Sequence, residues 1–469
     1  MFLGRILLGL LVVVLLAGAG FLAYAWESPI APLEAQAAAT ADPVLVARGA
    51  ELAAIGNCIT CHTAPGGRPF AGGRALETPF GTIHATNITP DRETGIGAWS
   101  EEAFNRSMRE GVDREGNHLY PAFPYDHFTR VTDEDNRALH AYLMTVPAVQ
   151  AEAPANDLPF PLDQRILVAG WKLLFFRPGA HQPDPALPPE VDRGLYLAEG
   201  LGHCGSCHTP RNSLGAEIAD AHWDGAELDG WHAYAINEKS PAPLPWTREK
   251  MAFYLAHGFE AEHGVSRGSM APVTTNLGAA ASEDVEALAA YVIHRMGEPS
   301  AERQAAAQAS REAAGISAET TAALAPTGDS QTAPATSSEE GRAIYQAACA
   351  SCHEAGRPVP YGGLNLHLST AANAPSPQNL INVTLWGLPA PEGAGGAVMP
   401  GFEGALGAAQ MTALLSFLRA EFSQNKEPWP DLAQRVEDTM SGRTPVSLYR
   451  SDGASAAPSD PAARTGPWQ

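Results

Sequence analysis

The chain opens with a lone positive charge, Arg5, followed by an uncharged apolar run from Ile6 to Ala25. A run of about twenty such residues is long enough to cross a bilayer as one helix. Trp26 then falls where an interfacial aromatic belongs, and the early positive charge keeps the N-terminus in the cytoplasm. Ala23-Tyr24-Ala25 also fits the cleavage pattern of an export signal, but the apolar core is longer than a signal requires. Residues 1–30 therefore read as a retained anchor that exports the rest of the chain.

Further along, apolar positions recur at helical spacing in three stretches, Asp133 to Met144, Ser282 to Met296 and Ala408 to Phe422, with Leu139, Tyr142 and Leu143 as one example. Each follows, at a similar interval, a helix entry built on glycine and a tyrosine or leucine: Val46 to Leu52, Val191 to Leu197, and Glu340 to Tyr345. Such self-similarity predicts a repeat. The expected units are residues 43–150, 188–299 and 337–425, mostly α-helical with few strands.

The connections differ from one another. Residues 151–187 are proline-rich but carry Ile166 to Phe176, an apolar segment too short for a second span and suited to a buried helix or a membrane-surface patch. Residues 300–336 have the Ala/Ser/Thr/Gln composition of a flexible tether. Residues 430–469 become polar and Ser/Ala/Pro-rich, and a disordered tail is expected there. A length of 469 residues accommodates three units plus linkers. The net charge of −22 excludes nucleic acid and argues against an anionic membrane face, since both need basic surface.

Cysteine brings in the chemistry. All six cysteines fall in three Cys-x-x-Cys-His strings: Cys58-Ile-Thr-Cys61-His62, Cys204-Gly-Ser-Cys207-His208 and Cys349-Ala-Ser-Cys352-His353. This is the attachment signature of c-type haem. Two thiols on one helical turn each bond a vinyl group, and the histidine reaches the iron from one side. Zinc sites gather four ligands, which widely separated pairs do not supply. Structural disulfides and a thioredoxin-like motif are disfavoured, because no cysteine lies outside the pairs and helices lead into them. Three covalent haems c follow, with His62, His208 and His353 as proximal ligands, and the repeats read as three tandem cytochrome c domains behind a transmembrane helix. Haem of this type places them in the periplasm of a bacterial inner membrane.

A second axial ligand comes from the opposite side. Met270, in Gly268-Ser269-Met270-Ala271-Pro272, and Met399, in Val398-Met399-Pro400-Gly401-Phe402, sit in loops before the closing helices of the second and third units. Met251, Met296 and Met411 fall within helices and read as core. The first unit has Leu119-Tyr120-Pro121-Ala122-Phe123-Pro124-Tyr125-Asp126-His127-Phe128 at that place, and phenylalanine cannot bind iron. Its distal ligand is Met108 or His127, with His118 behind them, or the site is five-coordinate.

The strings Thr78-Pro79-Phe80-Gly81-Thr82-Ile83, Thr86-Asn87-Ile88-Thr89-Pro90-Asp91, Leu119-Tyr120-Pro121-Ala122 and Gly200-Leu201-Gly202-His203 leading into Cys204 to Asn212 resemble those of membrane-bound three-haem cytochrome c subunits of bacterial dehydrogenases. The resemblance covers most of residues 43–425. It implies an electron-transfer subunit, with no substrate chemistry of its own, that accepts electrons from a catalytic partner and delivers them to ubiquinone, a terminal oxidase or a cytochrome c. The Ala-Phe-Pro-Tyr version of the first loop looks more like the branch paired with molybdenum hydroxylases, implying molybdopterin and iron–sulfur partner subunits. The alternative partners are quinoprotein alcohol dehydrogenases and flavoprotein sugar or gluconate dehydrogenases. A peroxidase-like use of the first unit, with Arg106, Arg109, His118 and His127, is the remaining enzyme reading. No nucleotide-binding glycine motif follows a strand.

Overall fold

The computed structural model describes residues 2–34, 42–315, 339–354, 363–389 and 397–443. They fall into two compact units, residues 1–184 with 199–203, and residues 185–198 with 204 onward. The described chain is mostly helical, with four two-stranded antiparallel hairpins.

The first unit begins with the helix Phe2–Ala25, whose 24 residues bury only Ala25. At 1.5 Å per residue it is about 36 Å long, enough for a hydrocarbon core of about 30 Å. Next comes the helix Pro43–Ile55, started by the Asp42 carboxylate accepting from Val44 N at 3.0 Å. It crosses the closing helix Asp133–Leu143, which Thr132 caps through a bond from Asp135 N at 3.2 Å. Gly49 makes the crossing possible, because a Cβ there would lie 2.0 Å from the Ala138 carbonyl oxygen and 2.7 Å from Tyr142 Cβ.

The second unit repeats this crossing twice. Pro189–Tyr196 crosses Ser282–Met296 at Gly194, where a Cβ would lie 1.9 Å from the Ala287 oxygen. Glu339–Ala348 crosses Ala408–Phe422 at Gly341, where it would lie 2.2 Å from the Ala413 oxygen. An arginine beside each glycine pairs with the closing helix. Arg48 meets Asp135 at 3.6 Å, Arg193 meets Asp284 at 2.8 Å and Arg342 meets Glu421 at 4.0 Å. The aromatic that follows each crossing packs on another ring: Tyr142 on Phe70, Tyr291 on Trp223, Phe417 on Tyr345.

Two of the expected connections take another form. The first part of residues 300–336 is the helix Ala301–Ala313, capped by Ser300 and burying Ala307 and Ser310. Alanine-rich composition marks a tether and a good helix former alike, and Ala307 packs with Leu244 and Leu368. Residues 316–336 of that linker lie outside the described residues. Residues from 430 begin with the helix Leu432–Met440, whose Leu432 and Val436 join Trp429 in the core around Leu414, Leu415 and Phe422. Apolar residues at helical spacing were enough to bury one face, which overturns the disordered reading as far as residue 443. The apolar stretch from Ile166 becomes the helix Val168–Phe175.

Candidate functional site

Each Cys-x-x-Cys-His string forms one helical turn directly after an entry helix. In all three, the histidine N–H donates to the carbonyl of the first cysteine, His62 to Cys58, His208 to Cys204 and His353 to Cys349, each at 3.0 Å. That turn puts both thiols and the imidazole on neighbouring positions. Burial, with a smaller contribution from the second thiol, pushes the Cys58 thiol up to about 12 and the Cys349 thiol up to about 11. Both are therefore kept as neutral thiols.

The three imidazoles are held alike. Nδ1 of His62 meets the Thr86 carbonyl at 2.7 Å, Nδ1 of His208 the Tyr234 carbonyl at 2.6 Å, and Nδ1 of His353 the Leu364 carbonyl at 2.7 Å. A carbonyl only accepts, so Nδ1 carries the proton and Nε2 keeps its lone pair. This is the orientation that a metal-bound histidine receives from its surroundings. Burial lowers the affinity of His62 and His208 for a second proton. Local structure places each carbonyl. Asn87, next to Thr86, is fixed by bonds to Val149 O at 2.7 Å and from Thr89 N at 2.9 Å. Gly363 precedes Leu364 because a Cβ there would stand 2.8 Å from His353 Nδ1.

Met270 opens the helix Met270–Leu277 rather than lying in a loop, and Met399 ends the strand Ala397–Met399, which pairs with Leu388–Pro389. Both side chains are half-buried. Met251 and Met411 are core, as expected. In the first unit Phe123 packs on Phe128, with ring centroids 5.1 Å apart. Met108 is buried three residues before Gly111, the left-handed terminator of Glu101–Glu110. Leu255 stands in the same relation to Gly258 in Arg248–His257, so Met108 holds a position that a plain core side chain also fills. His127 is buried and its Nδ1 meets the Glu199 carbonyl at 2.9 Å, the arrangement of the three motif histidines. His118 has both ring nitrogens engaged, Nε2 with the Ala25 carbonyl and Nδ1 with Lys172 Nζ, each at 2.9 Å. Arg106 binds the carbonyls of Ser28 and Asp113, and Arg109 binds Asn105 and the Val131 carbonyl. These guanidiniums brace neighbouring backbone.

Sequence reasoning missed a set of buried donors. Among the described residues, Trp231 Nε1 and Arg267 Nε have no hydrogen-bond partner. Trp231 lies three residues before Tyr234 and against Gly268, where a Cβ would be 2.6 Å from its ring. The two orphaned donors thus belong to the segments that carry the Tyr234 carbonyl and Met270, Trp231 three residues before the one and Arg267 three residues before the other. A group bearing carboxylates beside its iron fits there, and with the fixed imidazoles and paired thiols the residues fit haem c.

Comparison with known proteins agrees. The family model described as cytochrome c matches residues 46–147, and that described as cytochrome c oxidase, cbb3-type, subunit III matches residues 336–418. The chain is 40% identical over 425 residues to a nicotinate dehydrogenase subunit of Pseudomonas putida, a match that covers 90% of this chain and 34% of that protein. It therefore spans about a third of that relative's length. It is 36% identical to the gluconate 2-dehydrogenase cytochrome c subunit of Pantoea cypripedii, covering 81% of this chain and 86% of the relative. It is 32% identical to the cytochrome c subunit of the quinone alcohol dehydrogenase of Gluconobacter oxydans, covering 87% and 84%.

Proposed function

The chain belongs to the family of cytochrome c subunits of dehydrogenases, electron-transfer subunits rather than catalytic ones, and from that premise we propose a membrane-anchored relay of three haems. The observation that carries the reading is the threefold recurrence of one arrangement: paired thiols, a histidine whose Nδ1 is held by a carbonyl, and a glycine helix crossing behind it. Cys58 and Cys61, Cys204 and Cys207, and Cys349 and Cys352 would hold the groups, with His62, His208 and His353 on the irons. When bound, haem c supplies one-electron cycling between ferrous and ferric iron. The chain fixes the imidazole tautomers, keeps water from the irons and sets potentials through the distal side chains Met270 and Met399. For the first haem Met108 and His127 stand level as distal candidates: Met108 is buried on the helix Glu101–Glu110, and His127 is buried with its Nδ1 on the Glu199 carbonyl.

The donor we favour is a molybdenum hydroxylase with an iron–sulfur subunit, on the Ala122-Phe123-Pro124-Tyr125 loop and the likeness to the nicotinate dehydrogenase chain. Electrons leave for ubiquinone or the respiratory chain, and Phe2–Ala25 anchors the haem domains on the periplasmic face of the inner membrane. A pyridine haemochrome assay tests the haem count, with three per chain expected. Replacing Met270 or Met399 by histidine should lower one potential each in a redox titration, since thioether ligation raises it. Met108→Leu and His127→Leu separate the two candidates: the substitution that alters the ferric near-infrared spectrum identifies the ligand, and a spectrum unchanged in both excludes the pair. Purification of the detergent-solubilised complex with a quinoprotein or flavoprotein attached would overturn the molybdenum reading and leave the relay standing.

A further inference from the structure

The helix Val168–Phe175 is apolar but for Lys172. Only one face is buried. Val168, Ala169, Lys172 and, just past the end, Phe176 point inward, while the opposite face carries Leu167, Gly170, Leu173 and Leu174. On that face Leu167 is 43% exposed, Leu173 58% and Leu174 60%. Gly170, in its middle, approaches the N-terminal helix, with a Cβ built there 3.6 Å from the Phe21 ring. The exposed face is therefore continuous with the surface of the helix read as the anchor.

The height of this face is also fixed. Lys172 Nζ donates to the carbonyls of Glu110 and Gly111 at 2.5 and 2.8 Å and to His118 Nδ1 at 2.9 Å, while His118 Nε2 donates to the Ala25 carbonyl at 2.9 Å. This chain of bonds ties the short helix to the last residue of the long one, next to Trp26, which is 71% exposed. A tryptophan in that place sits at headgroup level. The open end of the short helix is closed as well, since the Arg177 guanidinium donates to the carbonyls of Leu173, Leu174 and Phe176. Carbonyls so satisfied are compatible with a medium poor in water. The segment 160–177 carries Arg165, Lys172 and Arg177 with Asp163 as its one acidic residue, and Arg165 is paired with Asp113 at 2.9 Å.

We propose that the face Leu167, Gly170, Leu173 and Leu174 is a membrane foot: it lies in the acyl–headgroup boundary of the leaflet where the N-terminal helix emerges, with Arg177 at the headgroup level. An amphipathic element of this kind lies in the interface without crossing it. The proposal rests on the reading of Phe2–Ala25 as a retained anchor. The test uses the full chain, haems attached, in vesicles of phosphatidylethanolamine and phosphatidylglycerol that carry a photoactivatable diazirine on the acyl chain, with adducts mapped by peptide mass spectrometry. Adducts in both 2–25 and 167–174 are expected. Adducts in 2–25 alone overturn the foot, leave the anchor intact and assign the face to a protein partner. Adducts in neither overturn both. In the Leu173→Glu, Leu174→Glu double variant, with haem absorbance as the check on folding, adducts in 167–174 should fall several-fold while those in 2–25 persist. An undiminished yield in 167–174 would also overturn the proposal.

Discussion

At Gly49, Gly194 and Gly341 a single missing methyl decides whether two helices meet. Gly49→Ala would drive a carbon against the Ala138 carbonyl, and overpacking against backbone belongs at the upper end of the usual range, about 3 kcal/mol. Thermal unfolding should show that loss, and a variant of wild-type stability would mean that the crossing is looser than its glycine. His263 supplies a second residue-level expectation. It is buried and stacked on Trp246 at 3.5 Å, and neither ring nitrogen has a partner among the described residues. Burial, and then Lys250, Arg311 and Arg303, push it down to about 3. Its folded value lies below the unfolded value of about 6.5, so its contribution is intact above that pH and is lost as pH falls toward 3. His263→Phe should flatten the denaturation midpoint across that window, and an unchanged acid slope would place the lability elsewhere. The motif histidines themselves were legible in the sequence, whereas their carbonyl partners were not. Thr86, Tyr234 and Leu364 contribute backbone oxygen, which every residue has, so no side-chain type announces them. Arg267 and Trp231 were silent for a similar reason, since an arginine reads as surface until its surroundings are seen.

At the scale of elements, the closing helices Ser282–Met296 and Ala408–Phe422 appear with the bounds that their apolar spacing predicted, because each presents several turns to a core. Shorter elements escaped: Ala301–Ala313 and Leu432–Met440 bury only two or three side chains each, too few to rise above a low-complexity background. Asparagine joins two elements of the second unit. On the helix Gln378–Trp386, Asn379 exchanges two bonds of 2.8 Å with the His232 backbone, and Asn382 donates to the Gly230 carbonyl at 2.8 Å. Asn382→Leu leaves that carbonyl unpaired at a cost of about 1–2 kcal/mol. Hydrogen exchange should quicken in 226–233 together with 378–386, and an effect confined to the helix would count against the clamp.

Across the whole molecule, the partition into two units places one haem motif in the first and two in the second. Since a haem supplies much of the apolar interior of so small a domain, removing one should disturb its own unit alone. A Cys349→Ala, Cys352→Ala variant should drop from three haems to two by haemochrome and lower the unfolding temperature of the second unit. The first unit's transition should stay in place in calorimetry; a shift of both would show that the units unfold together. The excess of negative charge suits docking to a basic partner surface, and the small basic segment around Arg165 and Arg177 stands apart from it in both composition and position.

The glycine crossings also govern timing. Gly49 waits for Ala138, Gly194 for Ala287 and Gly341 for Ala413, partners separated by most of a module, and contacts of such sequence separation form late. On the proposed route to the periplasm the chain emerges in sequence order, so each Cys-x-x-Cys-His turn appears well before the helix that will close over it. Every module therefore passes through an interval in which its thiols are outside and still uncovered, a built-in delay during which the attachment machinery can work before folding shuts the door.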